Sequence, residues 1–272
     1  DFYVLYSRFL DREGYDPLPK KPLEKRSLKY EDVYPLLYLK HNLIRCREHR
    51  EIRHLVVDEM QDYSWVQYLL LKKLFPCRMT ILGDKAQTME ENRQDVMEFL
   101  PRIFGRNIRK IYMNRSYRNT VEIAEYAGRI VGMEGVELFE RHGAPVEEKE
   151  FKDKRDALDE VLKTWLSDKD RLETAAVICL TEKEAEEAAL YLKEKLAENT
   201  SGDLEEISYF DRNSGKFKKG LTVTTFYLAK GLEFDRVYGI FDKKDKSPLK
   251  LQAEYITATR ALHELFMYSR DS

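Results

Sequence analysis

Short, uninterrupted apolar runs punctuate this chain, and they limit it to a small set of folds. His54-Leu-Val-Val57, Met79-Thr-Ile-Leu82, Ala175-Ala-Val-Ile-Cys-Leu180, Leu221-Thr-Val-Thr-Thr225 and Val237-Tyr-Gly-Ile-Phe241 read as buried strands. Longer segments at helical spacing lie between them. Ser64 can cap a helix running to about Phe75, with Val66, Leu69, Leu70, Lys73 and Leu74 on its repeat. Gln94 to Phe104, Thr120 to Val131 and Leu249 to Leu262 have the same character. Thr181 with Glu184 has capping-box spacing at the head of a helix to about Leu196. Strands at Ile108 to Met113 and Leu265 to Tyr268 complete the expectation, and residues 1–53 read as mostly helical around a loop at Pro17, Pro19 and Pro22. Strand and helix alternating in this way predict βα units around a parallel sheet.

Composition narrows the class. The 272 residues allow one or two domains, and 43% hydrophobic content is too high for a disordered chain. No apolar run approaches the ~18 residues of a membrane span. Three scattered cysteines, Cys46, Cys77 and Cys179, fit a reducing cytoplasm better than a disulfide framework or a zinc site. A net charge of -2 argues against a uniformly basic nucleic-acid binder. The average hides two stripes: six Lys/Arg and no acid from Pro101 to Val121, and five and no acid from Arg212 to Leu232. Such stripes suit phosphates, although basic residues flank any phosphate site. The joint between domains is expected near Gly105-Arg-Asn107.

Two acidic turns carry the chemistry. Val56-Val-Asp-Glu-Met-Gln-Asp62 puts Asp58 and Glu59 at the end of an apolar strand, the edge where parallel sheets bind ligands. An Asp there can hold Mg²⁺, and an adjacent Glu can polarise an attacking water, two roles that phosphoryl transfer needs side by side. A solvated acidic turn would look the same in isolation. Leu82-Gly-Asp-Lys-Ala-Gln87 then repeats the pattern of strand, Gly turn, Asp and Gln. The neutral amide of Gln87 can hydrogen-bond a γ-phosphate.

This pair resembles motifs II and III of the UvrD/Rep-type superfamily 1 DNA helicases. Ser116-Tyr-Arg-Asn-Thr120 resembles motif IV, Val223-Thr-Thr-Phe-Tyr-Leu-Ala-Lys-Gly-Leu-Glu-Phe-Asp235 motif V, and Tyr255-Ile-Thr-Ala-Thr-Arg-Ala-Leu262 motif VI, all in the family's order. The resemblance implies RecA-like parallel sheets flanked by helices, the P-loop NTPase-type fold, with ATP and Mg²⁺ as cofactors and single-stranded DNA as partner. It implies that Asp58 coordinates the metal, Glu59 is the catalytic carboxylate and Gln87 contacts the γ-phosphate. Arg118 and Arg260 would reach that phosphate as forked, permanently charged guanidinium groups. Tyr117 would stack on adenine, Gly231 and Glu233 would serve the nucleotide, Glu233 at the ribose, and Thr225 and Tyr227 would lie on the DNA track.

Departures from the family pattern shape the expectation. Thr88, Met89, Glu90 and Glu91 follow Gln87 where the family places base-stacking aromatics, and Tyr227 stands where motif V usually has His. Only about a hundred residues separate Arg118 from Thr225, which resembles the HelD/helicase IV-like branch, some of whose members act with RNA polymerase. No G-x-x-x-x-G-K-[S/T] loop occurs, and in the family it would precede Asp1. Residues 1–105 are therefore expected to form the C-terminal part of a first RecA-like domain, whose remainder becomes an implied partner, and residues 106–272 the whole second one. The chain alone is expected to lack ATPase activity. The readings left open are a translocating helicase portion, a nucleotide-gated RNA polymerase-binding factor and a motor remnant serving as scaffold.

Overall fold

The structure, a computed structural model, describes residues 1–44, 47–84, 96–105, 107–113, 115–132, 137–138, 140–167, 171–199, 206–214 and 219–270. Parallel sheets flanked by helices make it an α/β protein. The chain forms two compact units, one ending at Lys110 and the other continuing from Ile111.

In the first unit, α1 (Phe2–Arg12) and α2 (Tyr30–Leu43) precede β1 (His54–Val57), α3 (Trp65–Leu74), β2 (Arg78–Ile81) and α4 (Val96–Phe104). Asp1 caps α1 by accepting from the amides of Tyr3 and Val4. Ser64 and Gln67 close a capping box at the head of α3, satisfying two amides that would otherwise lack acceptors. Strands β1 and β2 pair in parallel from His54 opposite Arg78 to Val57 opposite Ile81. Val57, Tyr68, Phe99, Leu100 and Ile103 form the core beneath them.

The second unit opens with β3 (Arg115–Ser116), α5 (Val121–Val131) and β4 (Glu137–Leu138), the two short strands pairing in parallel. Then come β5 (Glu147–Phe151), α6 (Lys154–Ser167), β6 (Thr174–Cys179), α7 (Glu182–Asn199), β7 (Ile207–Tyr209), β8 (Gly220–Thr225), β9 (Phe234–Asp242), α8 (Pro248–Arg260) and β10 (Ala261–Arg270). The sheet order is β5-β10-β9-β6-β8-β7, with every pairing parallel. Helices α6 and α7 share a core with Val177, Cys179, Tyr238, Ile240 and Tyr268. Gly239, the alternate position on β9, faces Thr257 of α8 closely enough that a Cβ would stand 3.0 Å from its methyl. Burial pushes the Cys179 thiol up to about 12, which marks it as a packing residue.

The structure corrects several local expectations. Ile108 to Met113 forms no strand: an apolar run becomes a strand only with a ladder partner, and none pairs with it among the described residues. The last helix stops at Arg260, before Leu262, because β10 begins at once and runs for ten residues. Strands β5 and β7 and helix α6 were not expected. The expected helix at Gln94 is described only from Val96. No described helix is long and apolar enough to cross a membrane.

A buried ion pair closes the amino-terminal end of β9 and β10. Arg236 donates through Nε to Glu264 Oε2 at 2.7 Å, with side-chain exposures of 4% and 10%, and Arg171 also reaches the same carboxylate. Removing one partner of such a pair strands a charge away from water. Glu264→Ala is expected to destabilise the second unit by about 3–5 kcal/mol, measured by urea denaturation.

Candidate functional site

At the carboxyl end of β1, Asp58 and Glu59 follow Val57 directly. Glu59 adopts φ 52° and ψ 51°, the sole left-handed non-glycine conformation among the described residues. That conformation costs an L-residue roughly 1–2 kcal/mol. Polar contacts hold it: the Glu59 amide donates to Asp58 Oδ1 at 2.8 Å, and Gln61 Nε2 donates to Glu59 Oε2 at 2.5 Å. The Gln61 amide oxygen accepts from the Asp84 backbone at 3.3 Å, so one buried side chain ties the turn after β1 to the turn after β2. The ladder also continues past both strands, with Leu82 N donating to Val57 O and Met60 N to Leu82 O, each at 2.8 Å. Buried Tyr68 donates to the Met60 carbonyl at 2.9 Å from beneath. Asp58 is exposed and Glu59 half-buried. Gln87 lies outside the described residues.

Gly83 is what allows the two turns to touch. A Cβ there would overlap Met60 Cγ and stand 2.6 Å from Gln61 Oε1 and 2.8 Å from the Met60 amide.

In the second unit the expected residues divide between the two edges of one sheet. Ala261 of β10 stands opposite Phe234 of β9, so the residues just before them, Arg260 and Glu233, share the amino edge. Arg118 Nε pairs with Glu233 Oε1 at 2.6 Å, while Arg260 Nη1 donates to the Leu232 carbonyl at 3.5 Å. Both arginines thus converge on consecutive residues of one turn. Arg260 is 3% exposed, whereas the Arg118 side chain is half-exposed. Gly231 sits at φ +77° with open space around its Cβ position, so backbone conformation rather than crowding calls for glycine. Tyr117 is 59% exposed, too open to be a packing residue.

Thr225 and Tyr227 fall at the carboxyl edge instead, since Thr225 ends β8 opposite Cys179. Thr225 is buried and its hydroxyl has no hydrogen-bond partner among the described residues. Tyr227 donates to Glu182 Oε1 at 2.6 Å, and Arg212 both pairs with that carboxylate and lies over the Tyr227 ring.

Three residues escaped the sequence reading. Gln61 was seen only as part of a motif. Asn119 is buried and donates to the carbonyls of Ala261 at 2.6 Å and Thr259 at 3.4 Å. Glu122, in the first turn of α5, accepts from Gly143 N and pairs with His142, each at 2.9 Å. The capping position of Thr120 was the available signal for this region; bonds across more than a hundred residues left none.

Comparison with known proteins follows the same pattern. A family model described as the UvrD/REP helicase N-terminal domain matches residues 2–97. The ATP-dependent DNA helicase Rep of Buchnera aphidicola subsp. Baizongia pistaciae (strain Bp) is 28% identical over 142 residues, which cover 48% of this chain and 19% of that helicase. The chain is similar to UvrD-like superfamily 1 helicases. It spans about a fifth of the length of that Rep relative. Among solved structures, the C-terminal domain of a possible DNA helicase from Lactobacillus plantarum WCFS1 aligns with TM-score 0.45 and 24% identity, over 58% of this chain and 89% of that one. The PRRSV helicase aligns with TM-score 0.42 and 15% identity, over 79% of this chain and 34% of that one.

Two outcomes are expected at these turns. Gly83→Ala must push Met60 and Gln61 apart, which should cost about 1–3 kcal/mol in chemical denaturation of the first unit. Burial raises the Glu122 pKa, but hydrogen bonds from His142, the backbone amides of Glu122 and Gly143, and Thr120 outweigh it and bring the value from 4.5 down to about 2. A depressed carboxylate stabilises the fold above its unfolded value and ceases to as pH falls through the folded one. Melting temperature should therefore drop between about pH 4.5 and pH 2 more steeply in the native chain than in Glu122→Gln.

Proposed function

We propose that this chain is a portion of an ATP-dependent DNA helicase or translocase, with one partial and one complete RecA-like domain. The observation that carries the reading is the convergence of Arg118 and Arg260 on the Leu232–Glu233 turn. Two guanidinium groups at one sheet edge suit a triphosphate, whose oxygens accept their forked donors. The Arg118–Glu233 pair is half-exposed, and such pairs contribute about 0–1 kcal/mol. A triphosphate carries more charge than one carboxylate and can engage both guanidinium groups at once, so it can compete with Glu233 for Arg118. Glu233, once released, is available to a ribose hydroxyl, and exposed Tyr117 to an adenine face.

The residues of the first unit fit the metal that such chemistry uses. Mg²⁺ is held by one or two carboxylates plus phosphate oxygens and keeps several waters, so the exposed Asp58 suffices. Bound there, the ion would neutralise charge on the phosphates. Glu59 is held by Gln61 and Asp58 in a single conformation beside it and would orient the attacking water. Gln87, following the Asp84 turn, would sense the γ-phosphate.

Single-stranded DNA is the proposed track, with Thr225 and Tyr227 at the opposite edge from the arginines. Thr225 is buried and the Tyr227 hydroxyl is taken by Glu182, which favours a weak grip and keeps a second reading in play: a nucleotide-gated factor bound to RNA polymerase.

Phosphate release from Mg²⁺-ATP, with and without oligo(dT), tests the main reading. The 272-residue chain lacks a Walker loop and is expected to show no turnover, yet to bind oligo(dT) with an affinity that falls steeply with salt. Turnover abolished by Glu59→Gln would overturn the assignment of a missing phosphate loop. A tight polymerase complex in co-purification, with salt-insensitive or absent DNA binding, would favour the second reading.

A further inference from the structure

Asn119 follows Arg118 in sequence but belongs to a different environment. Arg118 is half-exposed; Asn119 is 8% exposed and reaches 142 residues along the chain to donate to Ala261 O. Its second acceptor is Thr259 O, so the amide bonds the carbonyls on either side of Arg260. The residues after it are tied down as well. Thr120 Oγ1 accepts from Ile123 N and starts α5, Val121 N donates to Arg141 O, and Glu122 holds Gly143. The backbone carrying Arg118 is therefore pinned by Asn119 to the end of α8 that carries Arg260, with Arg141, which donates to the Leu262 carbonyl, as a second tie further along.

The chemistry of that point is selective. Both acceptors are backbone carbonyls, so the side chain must donate two bonds and accept none; an amide does so, whereas a carboxylate of the same shape cannot. Helix α8 ends at Arg260 and β10 begins at Ala261, so the last carbonyls of the helix lack intrahelical partners and need donors. Asn119 satisfies that need from the strand-to-helix turn that presents Arg118.

We propose that Asn119 is the positioning residue that sets the spacing of Arg118 relative to Arg260, and so the width of the anion site between them. The proposal rests on the reading of these arginines as triphosphate ligands. Its effect passes through Arg118 and not through contact with the ligand. A clamp of this kind matters because orientation of forked donors decides how many bonds a phosphate can take.

The test uses the ¹⁵N-labelled 272-residue chain, with the Arg118 Nε–Hε resonance assigned by its loss in Arg118→Lys. In the native chain that resonance should be shifted by the Glu233 pair and should move when sodium tripolyphosphate is added. Asn119→Ala should return it to the bulk arginine envelope well below the melting temperature and weaken tripolyphosphate binding about tenfold. Combining Asn119→Ala with Arg118→Ala should weaken binding no further than Arg118→Ala alone, because the first acts through the second. Ser247→Ala, which removes the cap at the far end of α8, should leave both resonance and affinity in place. If Asn119→Ala does not fold, Asn119→Gln carries the test; its amide sits one methylene further out and should shift the resonance and weaken binding by a smaller factor. An unchanged resonance and affinity in a folded Asn119 variant, or additive losses in the double variant, overturns the proposal alone. If tripolyphosphate moves no arginine resonance in the native chain, the triphosphate reading fails and the proposal falls with it.

Discussion

Parallel pairing in the second unit forces the chain to return to the same sheet edge before each new strand, and the return from β8 to β9 is the tightest. Thr225 is level with Cys179, whereas Arg236 is level with Ala175, so Phe234 lies about six residues, or about 20 Å, back along the sheet. Nine peptide steps span at most about 30 Å. No full helix fits in that distance. Residues 226–233 make the return past β6 in consecutive turns, Ala229 N donating to Thr225 O and Leu232 N to Ala229 O, with Phe226 and Ala229 buried and Gly231 at positive φ. This connection begins at the carboxyl edge with Tyr227 and ends at the amino edge with Glu233, so both candidate surfaces of the unit lie on one short segment.

The first unit solves a different problem. Its acidic turn holds Glu59 in a conformation that L-residues avoid, and nothing in the sequence offsets this with glycine. The compensation is polar and remote: Gln61 is buried, its amide oxygen close to Gly83, and it serves Glu59 with its amide nitrogen and Asp84 with its oxygen. Strain kept at a carboxylate and balanced by its neighbours supports the proposed role of this turn.

Much of this was legible in the residues. Continuous apolar runs marked β6, β8 and β9, because central strands of a parallel sheet are covered on both faces. The runs at β1 and β2 marked strands too, but of these Val57 alone is buried, so the expectation of buried strands there is corrected. The caps at Ser64, Thr120 and Thr181 were readable since a cap bonds within three residues. Strand β5 was not, as Glu147-Glu-Lys-Glu-Phe151 carries the charges expected of an edge and pairs only because β10 offers a ladder. Ile108 to Met113 failed in the converse way, with β-type residues and no ladder to join. Helix α6 had a readable stripe in Ala157, Leu158, Val161, Leu162 and Trp165, set against a strongly charged opposite face. The types and order of the candidate site residues were visible, but not the links among them. The contact of Arg118 with Glu233 and the bond of Asn119 to Ala261 join positions more than a hundred residues apart, and no local pattern encodes such pairs.

The two arginines are held by opposite means, and the difference is mechanical. Arg260 is buried against backbone oxygen at the end of a packed helix, so its position is part of the fold. Arg118 projects from a clamped turn into a half-exposed ion pair of little net strength. On the proposed reading, a fixed cation beside an exchangeable one would confine the response to an anion to one side chain and its carboxylate partner. Glu233 is that partner and also the last residue of the return from β8, whose first turn carries Tyr227.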